Sequence, residues 1–274
     1  MGAFWGSLSA LFIGFSVLFG RRVVVHSTVL TAAVSMQFVG IFSSLAAIVL
    51  VTSEFRWGDA TLGGLSGLGL GTGLACYYGG LSRSSSTVVA PVVATLSAVI
   101  PFGYTVVTGD TASAFALAGA MVAFVGLAMI TVGGSSATRI RTGLLWGLFS
   151  GLGYGFGLSV VIEVSADSGA WPAVSQRVTA FVMLGAIAVR TAQPLVPPAG
   201  FRVAALWAGT FAGLTTVFYL LGVQANATAA VITASMFPAA SVAIGYAFYR
   251  DPVSRLQLVG IGVVLAGVAA VVTA

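Results

Sequence analysis

TGLLWGLFSGLGYGFGLSV, residues Thr142–Val160, is the stretch whose reading decides the fold. Gly143, Gly147, Gly151 and Gly155 recur every fourth residue, which sets four bare backbone patches on one face of a helix. In water each of these glycines would weaken the helix by roughly 1 kcal/mol. In lipid, small residues at this spacing let two helices approach closely and pack by van der Waals contact. The same rail stands 141 residues earlier, as Gly2, Gly6, Ala10 and Gly14. Trp5-Gly6 answers Trp146-Gly147, and Gly14-Phe15 answers Gly155-Phe156.

The correspondence runs on through the chain. Ala33-Val34-Ser35 before Gln37 is matched by Ala173-Val174-Ser175 before Arg177, and Gly73-Leu74 with Tyr78 by Gly213-Leu214 with Tyr219. Gly103-Tyr104 is matched by Gly245-Tyr246, and Asp110 with Gly119 and Gly126 by Asp251 with Gly260 and Gly267. The sequence therefore reads as one five-helix unit written twice, residues 1–137 and 138–274, forming a single membrane domain. Five crossings is an odd number, so the second copy is expected upside down relative to the first. Inverted repeats around a midplane site are a recurrent plan for secondary transporters.

Composition agrees with this class. The 274 residues are 58% hydrophobic and 6% charged, with a mean hydropathy of +1.08, whereas a soluble domain carries about 25% charged residues. The apolar runs approach the ~20 residues of a spanning helix, not the ~10 alternating residues of a barrel strand. Ten transmembrane helices are expected, near 3–20, 28–52, 60–81, 85–107, 112–133, 142–162, 171–190, 202–222, 226–249 and 255–273. The first is read as a span and not a secretory signal, because it lacks a basic leader. The expected fold class is all-α integral membrane protein, and the expected location a cell membrane such as a bacterial inner membrane.

All eleven basic residues are arginines, against six carboxylates. Arg21, Arg22, Arg83, Arg139, Arg141, Arg190, Arg202, Arg250 and Arg255 fall in connections on one side, and Arg56 alone on the other. The positive-inside rule turns that bias into both termini outside. Arginines between apolar runs report topology and not a nucleic-acid partner. A single cysteine, Cys76, and a single histidine, His26, argue against a disulfide framework and a metal site. No cofactor is expected. The expected partners are the lipid bilayer and a small-molecule substrate, with a monomer and a homodimer both open.

Arg177 is the only charge placed well inside a span. Charge in lipid costs several kcal/mol, so the guanidinium either meets an anionic substrate group or pairs and snorkels toward its helix end. Gln37, its mate in the first half, is read as interhelical glue or as a ligand contact. Pro91 and Pro238 cannot donate backbone hydrogen bonds and free the carbonyls of Thr87 and Ala234, either lining a cavity or bending the helix. Thr87, Pro91 and Thr95 share one face, as do Asn226, Thr233 and Phe237. Tyr78, Tyr154 and Tyr219, with Tyr77, are candidate pocket walls with polar handles or belt aromatics. The carboxylates all stand at or beyond span ends, so proton coupling finds no buried carrier. Gly64-Leu65-Ser66-Gly67 matches an intramembrane serine protease motif, but His26 is poorly placed to serve Ser66, and the chain is not expected to be an enzyme.

The tryptophan-glycine first helix of each half, YYGGLSRSSSTVVAPVV at Tyr77–Val93 and FPAASVAIGYAFYRDPVSRLQLVGIGVVLAGVAAVV at Phe237–Val272 together resemble the drug/metabolite transporter superfamily, in its ten-helix EamA-type members. Pro238, Asp251, Gln257, Gly260 and Gly267 fall on the family's closing signature. Asp251 replaces the usual glutamate, and Gln37 stands where an arginine is common. The resemblance implies a cavity lined by spans 1, 3, 4, 6, 8 and 9. It further implies export of a small organic metabolite, amino-acid-like or related, and termini in the cytoplasm, opposite to the arginine bias. An exchanger or facilitator for an anionic metabolite, and a channel-like or structural membrane protein, are the alternatives.

Overall fold

The computed structural model describes residues 1–84, 86–108, 113–132, 140–249 and 254–273. Among these the protein is all-helical, with eleven α-helices and no strand. They are α1 (Gly2–Val25), α2 (Val29–Leu50), α3 (Trp57–Arg83), α4 (Ser86–Thr108), α5 (Ala114–Val132) and α6 (Ile140–Val160). After two short 3-10 turns come α7 (Trp171–Arg190), α8 (Arg202–Ala225), α9 (Ala227–Ala234), α10 (Phe237–Tyr249) and α11 (Arg255–Thr273). Five stretches are long and apolar enough to cross a membrane: Gly2–Val25, Val29–Leu50, Arg141–Glu163, Trp171–Arg190 and Ala199–Ala225. Large apolar side chains such as Phe42, Phe115, Phe149, Val182 and Leu206 point outward, a surface that suits hydrocarbon and not water.

Glycine decides which helices meet. A methyl group added at Gly153 of α6 would sit 2.8 Å from the Gly69 carbonyl oxygen of α3, and one at Gly69 would sit 2.7 Å from the Gly153 oxygen. The two backbones thus touch directly. Hydroxyls finish the seam, Ser150 donating to the Gly73 carbonyl at 2.7 Å and Ser66 to that of Gly157 at 2.5 Å. Residue 66 meets 157 and residue 73 meets 150, so α3 and α6 are antiparallel. The crossing of α1 and α8 is built alike, Ser9 donating to the Thr215 carbonyl at 3.0 Å and Ser16 to that of Ala208 at 2.8 Å.

The rail of α6 faces α4. Methyls at Gly147, Gly151 and Gly155 would strike Val92, Leu96 and Ile100 in that order, so these helices run parallel. Gly2 and Gly6 of α1 meet Asn226 and Ala230 at the start of α9 in the same parallel sense. Gly209 and Gly213 of α8 lie along Met36 and Gly40 of α2, and Gly63 and Gly67 of α3 along Pro172 and Gln176 of α7, both pairs parallel. Gly126 of α5 meets Gly260 and Gly267 of α11 meets Gly119, an antiparallel pair.

One difference from expectation concerns residues 226–249, read as a single span. They form two helices, α9 and α10, separated at Ser235 and Met236. Ser235 and Met236 still donate to Val231 and Thr233 at 3.0 and 3.2 Å, tightening the last turn of α9. Restarting the helix at Phe237 puts Pro238 in the first turn of α10, where its missing N–H costs no hydrogen bond.

The α3/α6 seam yields a stability prediction. Gly153→Val should lower the melting temperature of the detergent-solubilised protein, with a loss of about 1–3 kcal/mol from overpacking. Gly185→Ala, where an added methyl meets nothing within 4 Å, should leave it unchanged or raised.

Candidate functional site

A cavity of about 500 Å³ opens among α1, α2, α3, α4, α6, α7, α8, α9 and the start of α10. Most of its wall is apolar, with Ile13, Val17, Leu70, Leu74 and Val93 among the lining. Its polar side is made by Gln37, Gln176, Arg177 and Thr216, with Tyr77, Tyr154 and Tyr219 around it. A second hollow of about 460 Å³ lies beside Phe19, Arg22 and Trp207. Its rim is mostly exposed surface, so the interior cavity, with its buried polar groups, is the candidate site.

Arg177 is the centre of that polar side. It projects from α7, is only 8% exposed, and its stem passes Gly40, where a methyl would approach its Cδ to 3.2 Å. The guanidinium does not reach the end of its helix, so it does not snorkel. Nη1 donates to Gln37 Oε1 at 2.8 Å, and Nη2 to Thr216 Oγ1 at 2.5 Å and to the Ala212 carbonyl. Every one of these acceptors is neutral. The Nε hydrogen, buried like the rest, has no partner.

The polar chain continues beyond Arg177. Thr216 donates to Gln176 Oε1 at 2.9 Å, Gln176 Nε2 donates to Ser66 Oγ at 2.7 Å, and Ser66 passes its own hydrogen to the Gly157 carbonyl. Five helices, α2, α3, α6, α7 and α8, are tied by one run of hydrogen bonds. Such a network rigidifies a core when satisfied and is costly when broken. A lone charge in a spanning helix costs about 3 kcal/mol on insertion scales. The neutral acceptors offset part of that cost and supply no opposite charge.

The described carboxylates lie elsewhere. Asp59 accepts from the Ser168 hydroxyl and from the Ser165 amide at 3.3 Å. Arg56 pairs with Asp167 at 2.5 Å and with Glu54 at 3.3 Å. The hydrogen bond to Glu54 and the charge of Asp167 hold the Arg56 guanidinium above its ordinary pKa. Glu163 accepts from the Tyr104 hydroxyl at 2.7 Å at the end of α4. These contacts clamp the connections between α2 and α3 and between α6 and α7 at one end of the bundle.

Among the residues singled out in the sequence, Arg177, Gln37, Tyr154 and Tyr219 come together on the cavity. Tyr219 is 4% exposed and donates to the Leu158 carbonyl at 3.4 Å. Three others stand apart. Asn226 is exposed and caps α9, accepting from the Ala229 amide at 2.8 Å. Thr233 is buried against Gly6 and donates back to the Ala229 carbonyl. Thr95 is half-buried on α4, whose cavity face is Val93, Ala94, Ser97 and Pro101. The side chains of Tyr78, Thr87, Pro91 and Pro238, and all of Asp110 and Asp251, lie outside the described residues.

Gln176 and Thr216 are not among the residues the sequence singles out, and Ser66 enters there only through the Gly64–Gly67 motif. Gln176 carried a usable signal, since an amide mid-span is costly for the same reason as Gln37. Ser66 is spoken for on both sides, and His26 stacks on Phe201 with ring centres 4.0 Å apart.

No protein-family model matches the sequence, and no curated protein matches it. By shape, a solved structure described only as "Crystal structure of protein" superposes with a TM-score of 0.76 at 14% identity, over 99% of this chain and 97% of that one. That likeness establishes a shared helical-bundle fold along nearly the whole chain.

Replacing Gln176 with Leu should strip partners from both Thr216 and Ser66. The expected loss is about 1–3 kcal/mol for buried polar groups left unpaired, read as a lowered melting temperature with unchanged helix content by circular dichroism.

Proposed function

We propose that this protein is a secondary transporter that moves a small organic metabolite across a cell membrane by alternating access, in the manner of the drug/metabolite transporter superfamily that its sequence resembles. In this reading α1 to α8 are eight spans, α9 with α10 is a ninth, broken one, and α11 is the tenth. Residues 1–137 and 138–274 are the two inverted halves of one membrane domain. The direction of net movement is outward, on the resemblance alone.

The observation that carries the reading is the exchange of partners between halves. The antiparallel crossing of α1 on α8 is answered by α6 on α3, and the parallel contact of α1 with α9 by that of α6 with α4. The contact of α2 with α8 is answered by α7 with α3. In each case the two partners come from opposite halves. In this reading corresponding helices run in opposite senses, and the cavity lies where the halves meet. Two similar halves that are upside down to each other can trade conformations, which is the physical basis of access from alternate faces. The glycine seams would let them shift with little side-chain obstruction.

Two measurements test this. In a Cys76→Ala background, His26→Cys and Ala166→Cys, at exposed positions after α1 and after α6, should react with an impermeant thiol reagent from opposite faces of the membrane. Labelling from one face would remove the inverted arrangement. In liposomes loaded with a panel of labelled metabolites, saturable counterflow is expected; linear, unsaturable flux would make the protein a pore.

A further inference from the structure

Resting on the reading of the cavity as the transport site, we infer that its substrate is an organic monoanion, a carboxylate on an apolar body, and neither an amino-acid zwitterion nor a cation. A guanidinium keeps its charge at neutral pH. Arg177 is more than nine-tenths buried, borders the cavity, and donates to Gln37, Thr216 and the Ala212 carbonyl. Three of its five donors are used by those neutral acceptors, and its Nε hydrogen is unpartnered. The described carboxylates Glu54, Asp59, Glu163 and Asp167 are absent from the cavity wall. A buried cation in low dielectric, with spare donors and no counter-ion among the described residues, is a site for an anion.

The remainder of the wall sets the other end of the ligand. Ile13, Val17, Leu70, Leu74, Val93 and Phe237 border the cavity, and such a surface gains by covering hydrocarbon. An ammonium entering here would meet Arg177 as a like charge and find no described carboxylate to receive it. The chemistry fitted is therefore one negative head at Arg177 and a branched or aromatic body of a few carbons.

Ligand-dependent thermal stabilisation of the purified full chain in detergent tests this with four probes of matched shape: 4-methylpentanoate, 4-methylpentanamide, leucine and 4-methylpentylamine. The carboxylate should bind about tenfold to hundredfold more tightly than its amide, the range expected for hydrogen bonds to a charged group. Leucine and the amine should give no stabilisation. Arg177→Gln should erase the preference of carboxylate over amide, while Arg177→Lys should keep part of it. If Arg177→Gln fails to fold, the comparison of the four probes on the unaltered protein decides alone. Equal binding of carboxylate and amide, stabilisation by leucine, or saturable protection by chloride with none by 4-methylpentanoate would overturn the inference. Counterflow in liposomes separates it from the transport reading. Binding of 4-methylpentanoate without flux would remove transport and leave the anion site. Flux of leucine without carboxylate binding would do the reverse.

Discussion

Between helices in lipid there is no water to squeeze out, so the hydrophobic effect that assembles a soluble core is missing at the seams. What remains is close backbone approach, and the crossings of α3 on α6, α2 on α8, α3 on α7 and α5 on α11 are arranged to obtain it. Gly69 and Gly153 remove the side chains from between α3 and α6, and Ser66 and Ser150 then reach carbonyls that a bulkier neighbour would have screened. The α1/α8 crossing depends on the same device through Ser9 and Ser16. The large apolar residues are left to the outside, a surface that suits acyl chains.

The polar core follows from those seams. Gly40 on α2 makes room for the Arg177 stem, and that stem brings the guanidinium up to Thr216 on α8. Gln176, one residue earlier on α7, turns to the other side of Thr216 and on to Ser66. Adjacent residues of one helix thereby serve two neighbouring helices, α2 through Arg177 and α3 through Gln176. The network holds a positive charge in place without cancelling it, an arrangement that costs stability and keeps the cavity electropositive.

The helical class and the glycine rails were plain in the sequence because both are matters of local spacing. Gly147, Gly151 and Gly155 could be read as one face without knowing what that face would meet. Which helix it met, α4, was a tertiary fact. The same limit explains the site. Arg177 and Gln37 stood out as charge and amide inside apolar runs, whereas Ser66 and Thr216 are residue types that spanning helices carry freely. Thr95 lies one residue from Ala94, about 100° around the helix, and only the packing of α4 tells which of the two faces the cavity. Pro238 marks either a bend or a cavity wall in the sequence, and the full break at Ser235 and Met236, just before it, follows from the tolerance of proline in an opening helical turn.

That break has a mechanical consequence. The eight residues of α9 pack on α1 through Gly2 and Gly6, and α10 packs on the same helix with Phe248 against Phe15. Beyond Met236, α10 starts a fresh hydrogen-bond ladder, the Ala240 amide donating to the Met236 carbonyl at 3.2 Å. Any change of angle at Ser235 and Met236 would leave the ladder of α9 intact, and because Ser235 and Phe237 both border the cavity, it would reshape the hollow.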